Sequence, residues 1–177
     1  MKGSTVYKSV RKDGLYLGVL PERAAAINSS TPITLDHELD VLPEVGRRLT
    51  VAELADHVAD LANRLWAAGV RPGEHVVIHK SANSDVWVLA TASERIGAIP
   101  VMLSPALDAA TVGALLNRLN QPNLLTDVRK LDVLADVQVV DLAKRVLLVS
   151  GKRPGATSLT ELAGAPRVEP VFREQDD

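Results

Sequence analysis

The chain has 177 residues, 46% of them hydrophobic and 24% charged, enough for one domain that hides roughly two thirds of its unfolded surface. Lys and Arg number 20 against 22 Asp and Glu, a formal charge of −2 with no long run of either sign; such a balance excludes the field that draws DNA, RNA or an anionic membrane, and aromatics at 3% leave few platforms for stacked bases. The absence of cysteine excludes disulfides, iron–sulfur clusters, thiolate zinc sites and cysteine nucleophiles in this chain and makes the cytoplasm the expected compartment.

In chain order, the first twenty residues interrupt their apolar positions with Lys8, Arg11, Lys12 and Asp13, so they lack the continuous apolar segment of a signal peptide. No stretch approaches the roughly 18 apolar residues of a membrane span. "LPERAAAINS" predicts a short helix with Pro21 in its first turn, "TPITLD" a short strand, and "HELDVLPEVGRR" a connection punctuated by Pro43 and Gly46.

The strongest local signal is "LTVAELADHVADLANRLWAAGVRPGEHVVIHK". Thr50 and Glu53 have the spacing of a capping box, each side chain satisfying a backbone donor that the first helical turn leaves open. Leu54, Val58, Leu61 and Leu65 form one apolar stripe, with Asp56, Asp60, Asn63 and Arg64 elsewhere on the wheel. Gly69 is placed for a left-handed helix end, Pro72-Gly73 for a turn, and "HVVIHK" for a strand.

The pattern then repeats. "NSDVWVLATASERIG" predicts a helix ended by Gly97, and "AIPVMLS" a buried strand without alternation. "LDAATVGALLNRLNQ" predicts a helix stopped by Pro122, followed by strands at "NLLTD", "VQVVD" and "RVLLVS". "SLTELAG" predicts a last short helix in which Ser158 and Glu161 repeat the capping spacing. Helices alternating with apolar strands imply an α/β fold, a doubly wound, mostly parallel sheet with helices on both faces. Residues 1–48 read as an N-terminal extension with a short helix and strand, continuous with an α/β subdomain over 49–177. Within it, "ERIGAIPVMLSP" reads as a junction, with Glu94 and Arg95 as an exposed last helical turn leading into the strand.

Residues 49–126 resemble the N-terminal region of the adenylate-forming enzymes, the superfamily of acyl-CoA synthetases, AMP-dependent ligases and adenylation domains of nonribosomal peptide synthetases. "LTVAEL" is similar to that family's Leu-Thr-Tyr-x-Glu-Leu element, with Val51 in place of the aromatic residue. "RIGAIPVMLSP" is similar to its Lys/Arg-Ala-Gly-Ala-x-x-Val-Pro-x-x-Pro element, with Ile96 in place of alanine and the first proline early. The resemblance implies that a carboxylate attacks the α-phosphorus of ATP to give an acyl-adenylate and pyrophosphate. A thiol of CoA or of a carrier protein's phosphopantetheine then displaces AMP. ATP and Mg²⁺ are the implied cofactors of the whole enzyme.

The family grips triphosphate with a Ser-Gly-Thr-Thr-Gly-x-Pro-Lys type of loop, and no such loop occurs here; nor do its Tyr-Gly-x-Thr-Glu and Arg-Gly-Asp elements. "VSGKRPGATS" fails as a substitute: Lys152 is not followed by Ser or Thr and Pro154 removes a donor, so a solvated turn is expected. The chain therefore reads as a first subdomain, inactive alone and prone to self-association through an uncovered apolar face. Its partners would be the remaining domains of the same enzyme. The alternative is a noncatalytic α/β module that binds a carrier protein or another ligase chain.

Other chemistry-bearing residues have plainer roles. His75 and His79, four apart in a strand, stand about 13 Å from each other and cannot share a metal ion. His57 and His37 read as surface histidines, Glu53 as part of the cap, and Asp56 with Asp60 as a solvated helix face. Asn83 and Ser84 fall where the family has an Asn-Ser turn. They are the substrate-region candidates, with helix capping as their first expected role.

Overall fold

The computed structural model describes residues 16–81 and 84–172. Helix α1 (Leu20–Asn28) carries Pro21 in its first turn. Strands β1 (Pro32–Thr34) and β2 (Arg48–Thr50) pair antiparallel, so the end of the expected connection between them is itself strand. Helix α2 (Val51–Ala67) begins with the expected capping box. The Glu53 amide donates to Thr50 Oγ1 at 3.2 Å and Glu53 Oε2 accepts from the Thr50 amide at 2.7 Å. At the other end Gly69 has φ +95, the Gly69 amide bonds the Trp66 carbonyl and the Val70 amide bonds that of Leu65. These two bonds close the last carbonyls in a Schellman motif.

Strand β3 (His75–His79) leads to α3 (Asp85–Arg95), β4 (Ile99–Met102), α4 (Ala109–Arg118), β5 (Asn123–Thr126), α5 (Val128–Val133), α6 (Val139–Leu142), β6 (Arg145–Leu148) and β7 (Ala156–Ser158). The five-stranded sheet has the order β4-β3-β5-β6-β7 and every pairing is parallel. Alternate residues of each strand enter opposite cores. Val76, Ile78, Leu125 and Leu147 pack with Leu61, Leu65 and Leu89 from α2 and α3, whereas Val77, Leu124 and Val146 pack with Val112, Leu116 and Val139 from α4 and α6. The sheet is doubly wound, as expected.

Several local expectations need correction. "VQVVD" is not a strand: its last three residues open the single turn α6, and only Val139 is buried in it. The β-branched propensity is overridden because α6 packs on α4 and covers the sheet instead of joining it. Helix α4 ends before Pro122, at Leu119, where Asn120 and Gln121 adopt φ 53 and 59. Strand β4 is a half-buried edge with Met102 57% exposed; among the described residues it pairs with β3 alone, and Pro100 lacks the backbone N–H that a central strand would use.

Ser158 does not cap its 3-10 turn (Leu159–Leu162). Its hydroxyl pairs with Thr160 Oγ1 and Glu161 reaches Lys152 instead. Arg64, which lies off the apolar stripe of α2, is nonetheless only 7% exposed and pairs with Asp60 at 2.6 Å. Arg95 is also buried: its guanidinium meets Glu22 at 2.7 Å, and its carbonyl accepts from the Val171 amide at 2.8 Å as residues 165–172 pass over α3.

Candidate functional site

Counting the parallel strands in chain order, the sheet runs 2-1-3-4-5, so the chain reverses direction between β3 and β5. Connections leave the two strands toward opposite faces at this point and a crevice opens beyond their C-terminal ends, where ligands of doubly wound sheets bind. The residues that follow β3 and β5 there are Lys80, Ser81 and Asp127.

Lys80 follows the last residue of β3, and its side chain is wholly excluded from solvent. The ammonium lies 3.1 Å from Asp40 Oδ2 and 3.2 Å from Asp85 Oδ2, and it donates to the Ser81 carbonyl at 3.1 Å. Asp85, at the start of α3, also accepts from the Asp40 amide at 3.0 Å. Burial pushes the Asp85 carboxyl above its ordinary range, against the pull of the Lys80 charge and the Asp40 amide. Leu39, Val41 and Leu42 plug the core on the other side of the Asp40 segment, so apolar and ionic contacts hold it over the sheet edge together.

Ser81 is held from the opposite side. Its amide donates to Asp127 Oδ2 at 2.6 Å and its hydroxyl accepts from Arg129 at 2.8 Å. Asp127 is the N-cap of α5, accepting from the Lys130 amide at 2.8 Å. Burial opposes ionisation of Asp127, but the Ser81 and Lys130 amides outweigh it and hold the carboxyl below the usual range. Ser81 and Arg129 line a concavity of about 460 Å³ together with Asp36, His37, Glu38, Asp40 and Arg47.

Of the two substrate-region candidates, Asn83 lies outside the described residues. Ser84 precedes α3 without capping it; its hydroxyl donates to Asp36 Oδ1 at 3.3 Å, so the expected cap is replaced by a tie to the concavity's rim. His75 and His79 lie in β3, and among the described residues no three His, Cys, Asp or Glu side chains converge on one point. His79 is fully buried with no hydrogen-bond partner for either ring nitrogen among the described residues. Desolvation, helped by the Lys130 charge, lowers its pKa against the pull of Asp127. The Gly151–Gly155 turn is solvent-exposed and its Lys152 is occupied by Glu161 at 2.6 Å.

The sequence hides this cluster because Asp40 and Asp127 stand forty or more residues from Lys80, Ser81 and Asp85, and the set matches no spacing motif. One signal was available: a lysine and an aspartate each directly follow an apolar strand run, at the edge where doubly wound folds place their sites.

Comparison with known proteins fits this architecture. The AMP-binding enzyme family model matches residues 21–176. The chain is 44% identical over 174 residues to 3-amino-2-hydroxy-4-methoxybenzoate diazotase of Streptomyces cremeus, an alignment covering 94% of this chain and 32% of that protein. It is 36% identical over 78 residues to 4-chlorobenzoate–CoA ligase of Arthrobacter sp, covering 44% of this chain and 15% of the ligase. Among solved structures, a benzoate CoA ligase from Burkholderia xenovorans superposes with a TM-score of 0.71 at 17% identity over 93% of this chain and 32% of that one. The chain thus spans about a third or less of the length of these relatives. With its parallel sheet, its capping box and a match running from α1 to beyond the last strand, the chain belongs to the AMP-binding enzyme family.

Proposed function

We propose that this chain is the first α/β layer of an AMP-forming ligase that activates an aromatic carboxylic acid with ATP and passes the acyl group to CoA or a carrier-protein thiol. The observation that carries the reading is the family match over residues 21–176. The benzoates named in the 44% and 36% identical relatives favour an aromatic acid. Family membership also favours this reading over a noncatalytic partner-binding module.

Within such an enzyme the chain's own residues do positional work. The β3–β5 edge supplies a wall, Lys80 and Asp127 fix Ser81 in that wall, and Arg129 presents a cation beside it. The described residues do not fit triphosphate, since three carboxylates line the concavity and the one glycine-lysine turn has its lysine paired with Glu161; nor do three His, Cys, Asp or Glu side chains among them group to hold a metal ion. Gripping ATP falls to other parts of the enzyme, and the chain alone makes no adenylate.

A second reading follows from the 44% identical relative, which is named a diazotase. In it the enzyme acts on the amino group of an aminobenzoate instead of supplying a thiol acceptor. The two readings separate in one experiment on the full-length protein with ATP, Mg²⁺ and a panel of benzoates. Thioester formation on adding CoA supports the first. Consumption of an aminobenzoate to a diazo product, with nitrite as nitrogen donor and no thioester, supports the second. No dependence of pyrophosphate–ATP exchange on any carboxylic acid counts against acyl adenylation.

A further inference from the structure

We propose that His79 is an acid-sensitive latch: the connections that follow β3, β4 and β5 close around its neutral imidazole at the C-terminal end of the sheet, and protonation of the ring opens them. The inference is independent of which reaction the enzyme performs.

His79 is the last residue of β3, stands in register with Thr126 of β5 and is wholly excluded from solvent. Strand alternation turns its ring to the same face as Val77, toward the apolar core that α4 and α6 cover. Neither ring nitrogen has a hydrogen-bond partner among the described residues. Native structures rarely leave a buried polar atom in this state, and a buried cation without an acceptor costs far more than a neutral group. The closed structure therefore favours the uncharged ring.

The surrounding charges act in the same direction. Desolvation and then the Lys130 charge oppose imidazolium, and only Asp127 and the Ser104 backbone favour it. Asp127 is already engaged, its two oxygens accepting from the Ser81 and Lys130 amides. Asp108, the carboxylate at the start of α4, accepts from the Thr111 amide. Lys130 donates to the Pro105 carbonyl and so ties α5 to the β4–α4 connection, while the Ser81 bond ties α5 to the β3–α3 connection. A proton on His79 adds a second positive charge where these three connections are joined.

A histidine held below its ordinary pKa in the closed form takes up its proton on opening. Opening then gains up to about tenfold per pH unit as pH falls below about 6.5. Asp127, whose carboxyl is held low, works in the same sense only below its ordinary value of about pH 4, outside that window.

The test is hydrogen exchange of the full-length protein between about pH 7.5 and 5, corrected for the intrinsic pH dependence of exchange. The Ser81 amide bonds Asp127 and the Leu103 amide bonds the Ile78 carbonyl. Protection of both should fall by about threefold or more per pH unit below about 6.5, while the Val70 amide at the end of α2 keeps its protection. His79→Leu, apolar and of similar volume, should abolish the fall. Parallel profiles in the two proteins, a flat wild-type profile, or a loss shared equally by Val70 overturns the proposal. If His79→Leu does not fold, His79→Gln, polar but not titratable, takes its place with the same outcomes. If neither folds, ring titration of the wild type by NMR decides: a ring that titrates below the ordinary value together with the local fall in protection supports the latch, and one that titrates at or above that value overturns it.

Discussion

Lys80 Nζ lies 3.2 Å from Asp85 Oδ2, and neither side chain reaches solvent. Removing one partner leaves the other charge buried, so Lys80→Met alone should destabilise the chain by about 3–5 kcal/mol. The double change Lys80→Met with Asp85→Leu should restore most of that loss. Urea unfolding of the three proteins checks it; equal stability of the single variant and the wild type would contradict the pairing.

Glu74, beside the N-terminal end of the sheet, knits neighbouring strands. It accepts from Asn123 Nδ2 at 3.1 Å and from the Arg71 amide at 3.1 Å, and it pairs with Lys144. Burial alone would raise its pKa, but these partners outweigh burial and hold the carboxyl below its usual range. A carboxyl depressed on folding contributes stability above its unfolded pKa of about 4.3, and that contribution is lost as pH falls through the folded value. Denaturation profiles should therefore show Glu74→Gln less stable than wild type at pH 7, with the gap closing on acidification below pH about 4.

Gly97 ends α3 at φ +73, and a Cβ there would meet Val171 Cγ1 at 2.9 Å. Gly97→Ala should cost more than about 1 kcal/mol, combining backbone strain with displacement of the 165–172 segment. Thermal unfolding gives the size. Loss of amide protection at Val171, which bonds the Arg95 carbonyl, would identify the cause.

Met102 on edge strand β4 is 57% exposed, and Val133 and Val140 over the opposite core are 55% and 61% exposed. Together with an open strand edge, they should drive concentration-dependent self-association of the isolated chain in sedimentation. The double charge substitution Met102→Lys with Val140→Lys should reduce it.

Where a local rule dominated, the sequence was readable. The Thr50–Glu53 spacing, the Leu54–Leu65 stripe and Gly69 lie within one helix and its ends, so α2 emerged nearly residue by residue. "VQVVD" misled because packing against α4 overrode β-propensity. Arg95 looked exposed, and Arg64 fell off the apolar stripe, because nothing local shows that Leu159 and Val171 return against α2 and α3. The crevice was the least readable part: Lys80 meets Asp40 from forty residues away and Ser81 meets Asp127 from forty-six, pairings that follow only from strand order. The chemistry was legible only through the family resemblance, because no motif within this chain carries it.

The central claim is that this chain contributes framework but not the grip on ATP. Its most direct test is acid-dependent exchange of labelled pyrophosphate into ATP, measured with purified protein spanning residues 1–177 and with the full-length protein, across the same benzoates. The account predicts exchange by the full-length protein and none above background by residues 1–177. Exchange catalysed by residues 1–177 alone would contradict it.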